Sequence, residues 1–305
     1  MGLFFALSRT PHGILDLATP AVAALLWLGA FPPLATTLLG LLTAFAGYTA
    51  VYALNDLVDV ANDKAQMAAD ERQDEKQGGY LDAVVVHHPV AQGLLSLPAA
   101  LIWFLLWSAV AMVGAYLLNP VCLALFLAGA GLEVIYCLLL RISHLRTLVS
   151  GIVKTTGGMA AVFAVDPNPS PWFLFLLWAW LFCWEIGGQN LPADWHDLQE
   201  DHNSGARTMP VVYGLHRAGG IVFLSLSLTV ILSLVVLAVA PLYVPWGVAI
   251  AAWVAGLYFL LVPAWNLWRD KAGIQATRLF NRASCYPLAM LTLVLLSLVL
   301  GAPGY

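Results

Sequence analysis

Two runs of carboxylates carry the most chemistry in this sequence. In Asn55-Asp56-Leu57-Val58-Asp59-Val60-Ala61-Asn62-Asp63, Asp56, Asp59 and Asp63 stand at i, i+3 and i+7. That spacing is one face of a helix, and Asn55, four residues before Asp59, joins it. In Asp194-Trp195-His196-Asp197-Leu198-Gln199-Glu200-Asp201, the residues Asp194, Asp197 and Asp201 repeat the spacing. One such row alone reads equally well as a solvated acidic stretch with helix-capping aspartates. Two matching rows repel each other unless something cationic lies between them. Mg²⁺ is suited to that place, because it takes a few carboxylates together with water and phosphate oxygens. Facing rows could thus hold a diphosphate through bridging Mg²⁺, with Arg9, Arg141, Lys154 and Arg207 neutralising the remaining phosphate charge.

The elements that must position these rows are membrane helices. The chain has 305 residues, 61% hydrophobic and 10% charged, with a mean hydropathy of +0.83. Soluble domains carry about 25% charged residues. This gap excludes a soluble enzyme or a disordered chain, and a net charge of −4 gives no basic face for nucleic acid. A helix crosses the hydrocarbon core with about 20 apolar residues. Nine segments qualify: roughly 13–32, 35–54, 94–117, 120–140, 147–165, 171–190, 218–240, 244–266 and 281–301. The first apolar segment runs beyond signal-peptide length and is read as a span. With the N-terminus counted as loop zero, all 13 Lys and Arg fall in or near even-numbered loops. The positive-inside rule then places the N-terminus in the cytoplasm and the C-terminus on the opposite side. The long even loops, 55–93 and 191–217, are cap loops of a single domain spanning 1–305 and hold the two rows. Chemistry gathered on one face fits a membrane enzyme better than an alternating transporter, whose polar machinery is expected at the midplane or both mouths.

Other polar residues sit in or near the spans. Glu133 and Glu185 lie within apolar segments, so they should face the interior or a cavity. Glu185 could reach the same chamber as Asp194, to orient an acceptor or take its proton, or be a hydrogen-bonded structural residue. Asp16 is read as a partner for a basic or polar neighbour, and Lys154 as either a diphosphate contact or half of a salt bridge. His144 and His196 are weak candidates for a base. His87 and His88 are adjacent and point apart, a poor metal pair. Cys122, Cys137, Cys183 and Cys285 are read as small buried hydrophobes.

At the two rows the chain resembles the UbiA superfamily of intramembrane prenyltransferases. Asn55, Asp56, Asp59 and Asp63 match its N-D-x-x-D-x-x-x-D signature, and Asp197 and Asp201 match its D-x-x-x-D, with Asp194 as the additional acid of the longer form. Gly205-Ala206-Arg207-Thr208-Met209-Pro210-Val211-Val212-Tyr213-Gly214 is similar to the family continuation G-x-[KR]-[ST]-x-P-x-x-x-G. Tyr136 to Arg141 resembles its tyrosine-to-basic segment, and His88-Pro89-Val90-Ala91-Gln92-Gly93 its R-P-x-x-x-G turn. His88 departs from the usual Arg, and Leu140-Arg141 from the usual basic pair. The polar stretch Lys64 to Val86 is an insert that could be a cap, a lid or a partner surface.

The resemblance implies an all-α membrane protein, with nine transmembrane helices in a UbiA-like bundle under cytoplasmic cap loops. It implies Mg²⁺-dependent transfer of a prenyl group from an isoprenoid diphosphate to an aromatic acceptor of the quinone- or chlorophyll-precursor type. Mg²⁺ would be held by Asn55, Asp56, Asp59, Asp63, Asp194, Asp197 and Asp201. Asn55, Asp59, Asp197, Asp201, Lys154 and Arg141 would act in catalysis, with Arg9, Tyr136, Arg207 and Glu185 around the substrates. Tyr52, Tyr136, Trp184 and Trp195 could stabilise an allylic cation or simply pack. A diphosphate cyclase on the same scaffold would use the same rows without an acceptor, and a cation transporter would use them to pass ions. The oligomeric state stays open.

Overall fold

A backbone surrounded by hydrocarbon must satisfy its own hydrogen bonds, so the apolar segments become helices. The computed structural model describes residues 2–69, 86 and 88–301, and these contain helices and no strand. Nine helices among the described residues are long and apolar enough to cross a membrane. They are α1 (Thr10–Leu28), α2 (Leu34–Ala69), α3 (Leu97–Leu118), α4 (Pro120–Leu138), α5 (Arg146–Val165), α6 (Pro171–His196), α7 (Met209–Val239), α8 (Trp246–Asp270) and α9 (Gly273–Leu300). Neighbours in sequence pack together along most of the chain, and α1 closes the bundle by lying against both α5 and α9. Outward faces stay apolar where lipid would touch them, as at Leu101, Leu105, Trp172, Phe175 and Trp246. Inward faces are richer in small residues, such as Ala46, Ala50 and Ala53 of α2 and Ala111 and Ala115 of α3, which let helices approach closely.

Several boundaries differ from the sequence expectation, each for a local reason. Helix α2 continues past residue 54 to Ala69, since no Gly or Pro occurs between Tyr48 and Gln77 to stop it. The first acidic row therefore lies along a helix, not in a loop. Only part of the insert is described: Lys64 to Ala69 prolongs α2, and residues 70–85 and 87 lie outside the described residues. Helix α6 runs on to His196 rather than ending at 190. Helix α9 begins at Gly273, earlier than 281, because its first turns are too polar to register as membrane, and α7 begins at Met209, earlier than 218, with a non-helical kink at Gly214 after its first turn.

Prolines inside the spans leave distinct marks. Pro lacks an N–H, and its ring crowds the carbonyl four residues back. Pro192 of α6 and Pro263 of α8 each follow a π turn, Glu185–Asn190 and Leu257–Leu261, whose wider loop relieves that crowding. Pro287 of α9 leaves the Ala283 carbonyl without its helical donor, and the buried Trp184 indole N–H donates to it at 3.0 Å. This bond ties α6 to α9 beside the main apolar core of Trp184, Leu191, Leu226, Tyr286 and Met290.

Gly187, in the π turn of α6, faces α7. A Cβ there would lie 2.9 Å from Leu226 Cγ and 3.1 Å from the Val222 carbonyl oxygen. Overpacking of this kind costs about 1–3 kcal/mol. Gly187→Ala is therefore expected to lower the melting temperature in detergent by several degrees. Gly131→Ala, where a Cβ meets nothing within 4 Å, should not.

Candidate active site at the mouth of the bundle

Helix α2 aligns the first row as its spacing implies. Asp56 and Asp63 are buried, and their carboxylates meet His88 Nδ1 at 2.9 and 2.8 Å. His88 is turned onto the row with φ 48, a left-handed conformation uncommon for a residue with a side chain. Burial opposes charge on its ring, but the bonds to Asp56 and Asp63 outweigh this and raise it to about 9. The ligand atoms of Asp56, Asp63 and His88 lie within 4.8 Å of one another, close enough to share a metal ion. Asp59 is half-buried and accepts from Asn62 Nδ2 at 3.2 Å. Asn55 donates to Glu133 Oε1 at 2.6 Å and to Cys137 Sγ at 3.4 Å, which fixes α2 against α4.

The second row is not a single helical face. Asp194 lies in the last turn of α6, and Asp197 sits at a break with φ −87 and ψ 9. Asp201 lies in a short cap helix, Leu198–Ser204, that Gly205 ends at φ 74. The Asp201 amide donates to the Asp197 carbonyl at 2.9 Å, so the row stays compact across the break. Thr208 Oγ1 donates to Asp201 Oδ2 at 2.9 Å. Gly214 also has positive φ, 75. Gly205 thus lets the backbone turn off the cap toward α7, and Gly214, at φ 75 and ψ 160, is a non-helical kink inside α7 after its first turn. Burial pushes Asp197 up to about 8, with Glu200, Asp201 and Asp194 adding repulsion. Burial likewise raises Asp201 to about 6, partly offset by Thr208 and Arg146.

Arg146 joins the rows, and sequence reasoning missed it. It begins α5, is buried, lies 3.5 Å from Asp194 Oδ1, and is within electrostatic reach of Asp201 and Asp59. Its guanidinium stacks 4.0 Å from the Tyr136 ring centroid, and the Tyr136 hydroxyl accepts from Asn190 Nδ2 at 3.0 Å. Asn190 was missed as well. The available signal was an Arg at a helix start, ten residues after the tyrosine, in a chain with so few charges.

Other expected site residues are distributed differently. Arg141 and Arg207 are exposed, and Arg207 contributes its backbone N–H, donated to the Leu140 carbonyl at 2.7 Å. Arg9, at φ 41, lines the cavity below the rows. Lys154, read as either a diphosphate contact or half of a salt bridge, pairs with Asp16 at 2.7 Å deeper in the bundle. Asp16 thus has the basic partner expected for it. Glu185 accepts from Ser150 Oγ at 2.8 Å. His144 meets the Tyr213 hydroxyl at 2.8 Å, and His196 meets Thr277 Oγ1 at 3.0 Å. Trp184 and Trp195 are buried in the core. His87 lies outside the described residues.

A cavity of about 520 Å³ descends from this mouth. Its polar lining includes Arg9, Asn55, Glu133, Tyr136 and Asn190, and its apolar lining includes Phe31, Leu41, Phe126, Leu118 and Leu295. Beside it, the buried oxygens Asp56 Oδ2 and Asp194 Oδ2 have no hydrogen-bond partner among the described residues. Unpartnered anionic oxygens fit a hard cation with oxygen ligands.

An acid-lined mouth over a greasy chamber, in a multi-pass helical bundle, defines the class as membrane enzymes that handle an amphipathic substrate. The chain belongs to the UbiA prenyltransferase family, whose model matches residues 17–286. A digeranylgeranylglyceryl phosphate synthase from Methanothrix thermoacetophila is 29% identical over 192 residues, 61% of this chain and 67% of the relative. The fold resembles the apo structure of a UbiA homolog from Aeropyrum pernix K1, with TM-score 0.73, 19% identity, and coverage of 96% of this chain and 98% of the other. It also resembles a UbiA homolog from Archaeoglobus fulgidus bound to DMAPP and Mg²⁺, with TM-score 0.65, 16% identity, and coverage of 95% and 99%.

Removing Arg146 would leave Asp194 buried beside acids alone. Breaking a buried pair costs about 3–5 kcal/mol. Arg146→Ala should therefore melt well below wild type in metal-free detergent, and Arg141→Ala should not.

Proposed function

We propose that the chain catalyses Mg²⁺-dependent transfer of a prenyl group from an isoprenoid diphosphate to a small aromatic acceptor of the quinone- or chlorophyll-precursor type, releasing diphosphate. The observation that carries this reading is the union of two acidic rows, buried at Asp56, Asp63, Asp194 and Asp201 and with unpartnered carboxylate oxygens, and a chamber apolar along most of its lining. Family membership supports the transferase class, and the Mg²⁺ and DMAPP of the Archaeoglobus relative support the donor chemistry.

Asn55, Asp56, Asp59 and Asp63 of one row and Asp194, Asp197 and Asp201 of the other are the residues proposed to hold Mg²⁺. When bound, Mg²⁺ supplies positive charge at the leaving diphosphate. Arg146, already fixed by Asp194 and Tyr136, adds preorganised charge beside the same group. Arg9 lines the approach from the N-terminal side. The apolar wall keeps water from the allylic carbon once its C–O bond opens. The acceptor's carbon then forms the new bond and gives up its proton to the released diphosphate. The basic residues of the even loops support a cytoplasmic mouth and N-terminus.

A second reading follows from the name of the Methanothrix relative, which points to a glycerolipid phosphate acceptor. The two separate in one assay. Purified protein in lipid vesicles is given a series of prenyl diphosphates with Mg²⁺ or EDTA, and either aromatic acceptors or glycerol phosphate lipids. Diphosphate release that needs Mg²⁺ and an aromatic acceptor supports the proposal, and release only with the glycerol phosphate lipid supports the second reading. Release with no acceptor and a hydrocarbon product identifies a cyclase. Asp59→Ala and Asp201→Ala are expected to lower release at least 100-fold while still folding in the membrane; full activity in either would refute the Mg²⁺ rows.

Mg²⁺ competes with protons for these carboxylates. With Asp197 raised to about 8 and Asp201 to about 6, the protonated forms prevail as pH falls. Mg²⁺ affinity measured by calorimetry should weaken steadily from pH 8 to pH 6.

A further inference from the structure

Below the acidic mouth, the cavity holds a second polar cluster that the prenyl-transfer reading leaves unused. Lys154 Nζ lies 2.7 Å from Asp16 Oδ2, and the Tyr52 hydroxyl donates to the same oxygen. His12 Nε2 lies 3.9 Å from the other Asp16 oxygen. Glu185 Oε1 takes the Ser150 hydroxyl, while Glu185 Oε2 has no partner among the described residues. The Tyr48 hydroxyl, within electrostatic reach of Asp16 and Glu185, also has none. Both side chains are cavity lining. The Trp184 ring backs the cluster, its centroid 5.6 Å from Lys154 Nζ.

Three helices place this cluster at one depth. Lys154 lies eight residues into α5 from Arg146, Glu185 nine before Asp194, and Tyr48 eight before Asp56. At 1.5 Å per residue the cluster is about 12–14 Å below the acidic rows. A diphosphate held at the rows leaves its first prenyl carbon a short way down. An acceptor atom poised to attack must lie about 3–3.5 Å further. The remaining depth is comparable to the width of an aromatic ring, so the cluster sits where the far side of such an acceptor would end.

The chemistry of the open groups selects what ends there. The buried Glu185 oxygen needs a donor and the buried Tyr48 hydroxyl an acceptor, and a ligand group able to serve at either must both donate and accept. A hydroxyl does this. A carboxylate does not: it cannot donate to Glu185, and the Lys154 ammonium is already paired with Asp16. We propose that Glu185 and Tyr48 form a specificity subsite for the hydroxyl of an uncharged aromatic acceptor, and that the Asp16–Lys154 pair disfavours acceptors carrying a carboxylate at that position. The proposal rests on the prenyl-transfer reading and adds the substrate class.

The test uses the full chain in lipid nanodiscs with Mg²⁺ and geranyl thiolodiphosphate as an inert donor. Binding of 2-naphthol, 2-naphthoate, 2-methylnaphthalene and 2-decalol is measured by calorimetry against empty nanodiscs. The expected result is that 2-naphthol binds at least tenfold more tightly than the other three. Glu185→Gln and Tyr48→Phe should each remove most of that advantage, leaving affinity for the thiolodiphosphate unchanged, which also reports folding. Gly157→Ala, whose new Cβ would lie 2.8 Å from the Tyr48 hydroxyl, should do the same by displacing it. The subsite is overturned if 2-naphthoate or 2-methylnaphthalene binds as well as 2-naphthol, or if all three variants keep wild-type affinity. Equal binding of 2-decalol overturns the aromatic assignment. Failure of the wild type to bind the thiolodiphosphate with Mg²⁺ defeats the transferase reading itself, a result separable from loss of naphthol binding alone.

Discussion

A carboxylate taken out of water needs a cation or a donor, and this bundle meets that need at two depths. At the mouth, Arg146 and His88 hold part of the negative charge of Asp194, Asp56 and Asp63, while Asp56 Oδ2 and Asp194 Oδ2 stay unmatched. Deeper, Lys154 and His12 converge on Asp16. Much of the helix arrangement follows from these contacts. Asp194 and Arg146 bring α6 to α5, Asn55 and Glu133 bring α2 to α4, and Asp16 and Lys154 bring α1 to α5. Buried polar contacts of this kind are costly to break, so they also fix how far each helix slides along its neighbour.

The two depths divide the labour of one chamber. Incomplete neutralisation at the mouth suits a site whose remaining cations come from solution. Pairing with Asp16 satisfies the Lys154 charge within the chain. Beyond the deeper cluster the wall is mostly small and apolar, with Ala44 and Gly47 of α2 and Ala160 and Ala161 of α5 among its lining. Small residues leave volume, and volume beneath a charged rim is what an amphipathic chain with an anionic head requires.

Much of this was legible in the sequence. Nine spans follow from hydropathy alone, because the bilayer demands length and apolarity from every crossing segment. The first row was legible because α2 is an uninterrupted helix, so i, i+3 and i+7 mean there what they mean on paper. The same spacing misled in the second row, where the backbone leaves the helix at Asp197 and returns with a new axis. Arg146 was hidden because a charge at a span boundary is ordinarily an interfacial residue. Only the approach of α6 shows that it is enclosed. Lys154 had two readings on sequence, and its partner is far away in the chain, at Asp16. Pairing across so many residues is a property of the packed bundle.

The π turn at Glu185–Asn190 separates two stretches of α6 that are each regular. A π turn closes its ring one residue later than an α turn. Each residue advances a helix by about 100°. The lower stretch, with Trp184 against α9, and the upper stretch, with Asp194 against α5, are therefore out of phase by one position. Pro192 helps to hold that offset in place. Helical periodicity counted from Trp184 consequently points the wrong way by the time it reaches Asp194. Aligning α6 with a relative whose helix is uniformly α needs a one-residue gap between Glu185 and Asn190, inside a membrane span where no loop exists to absorb it.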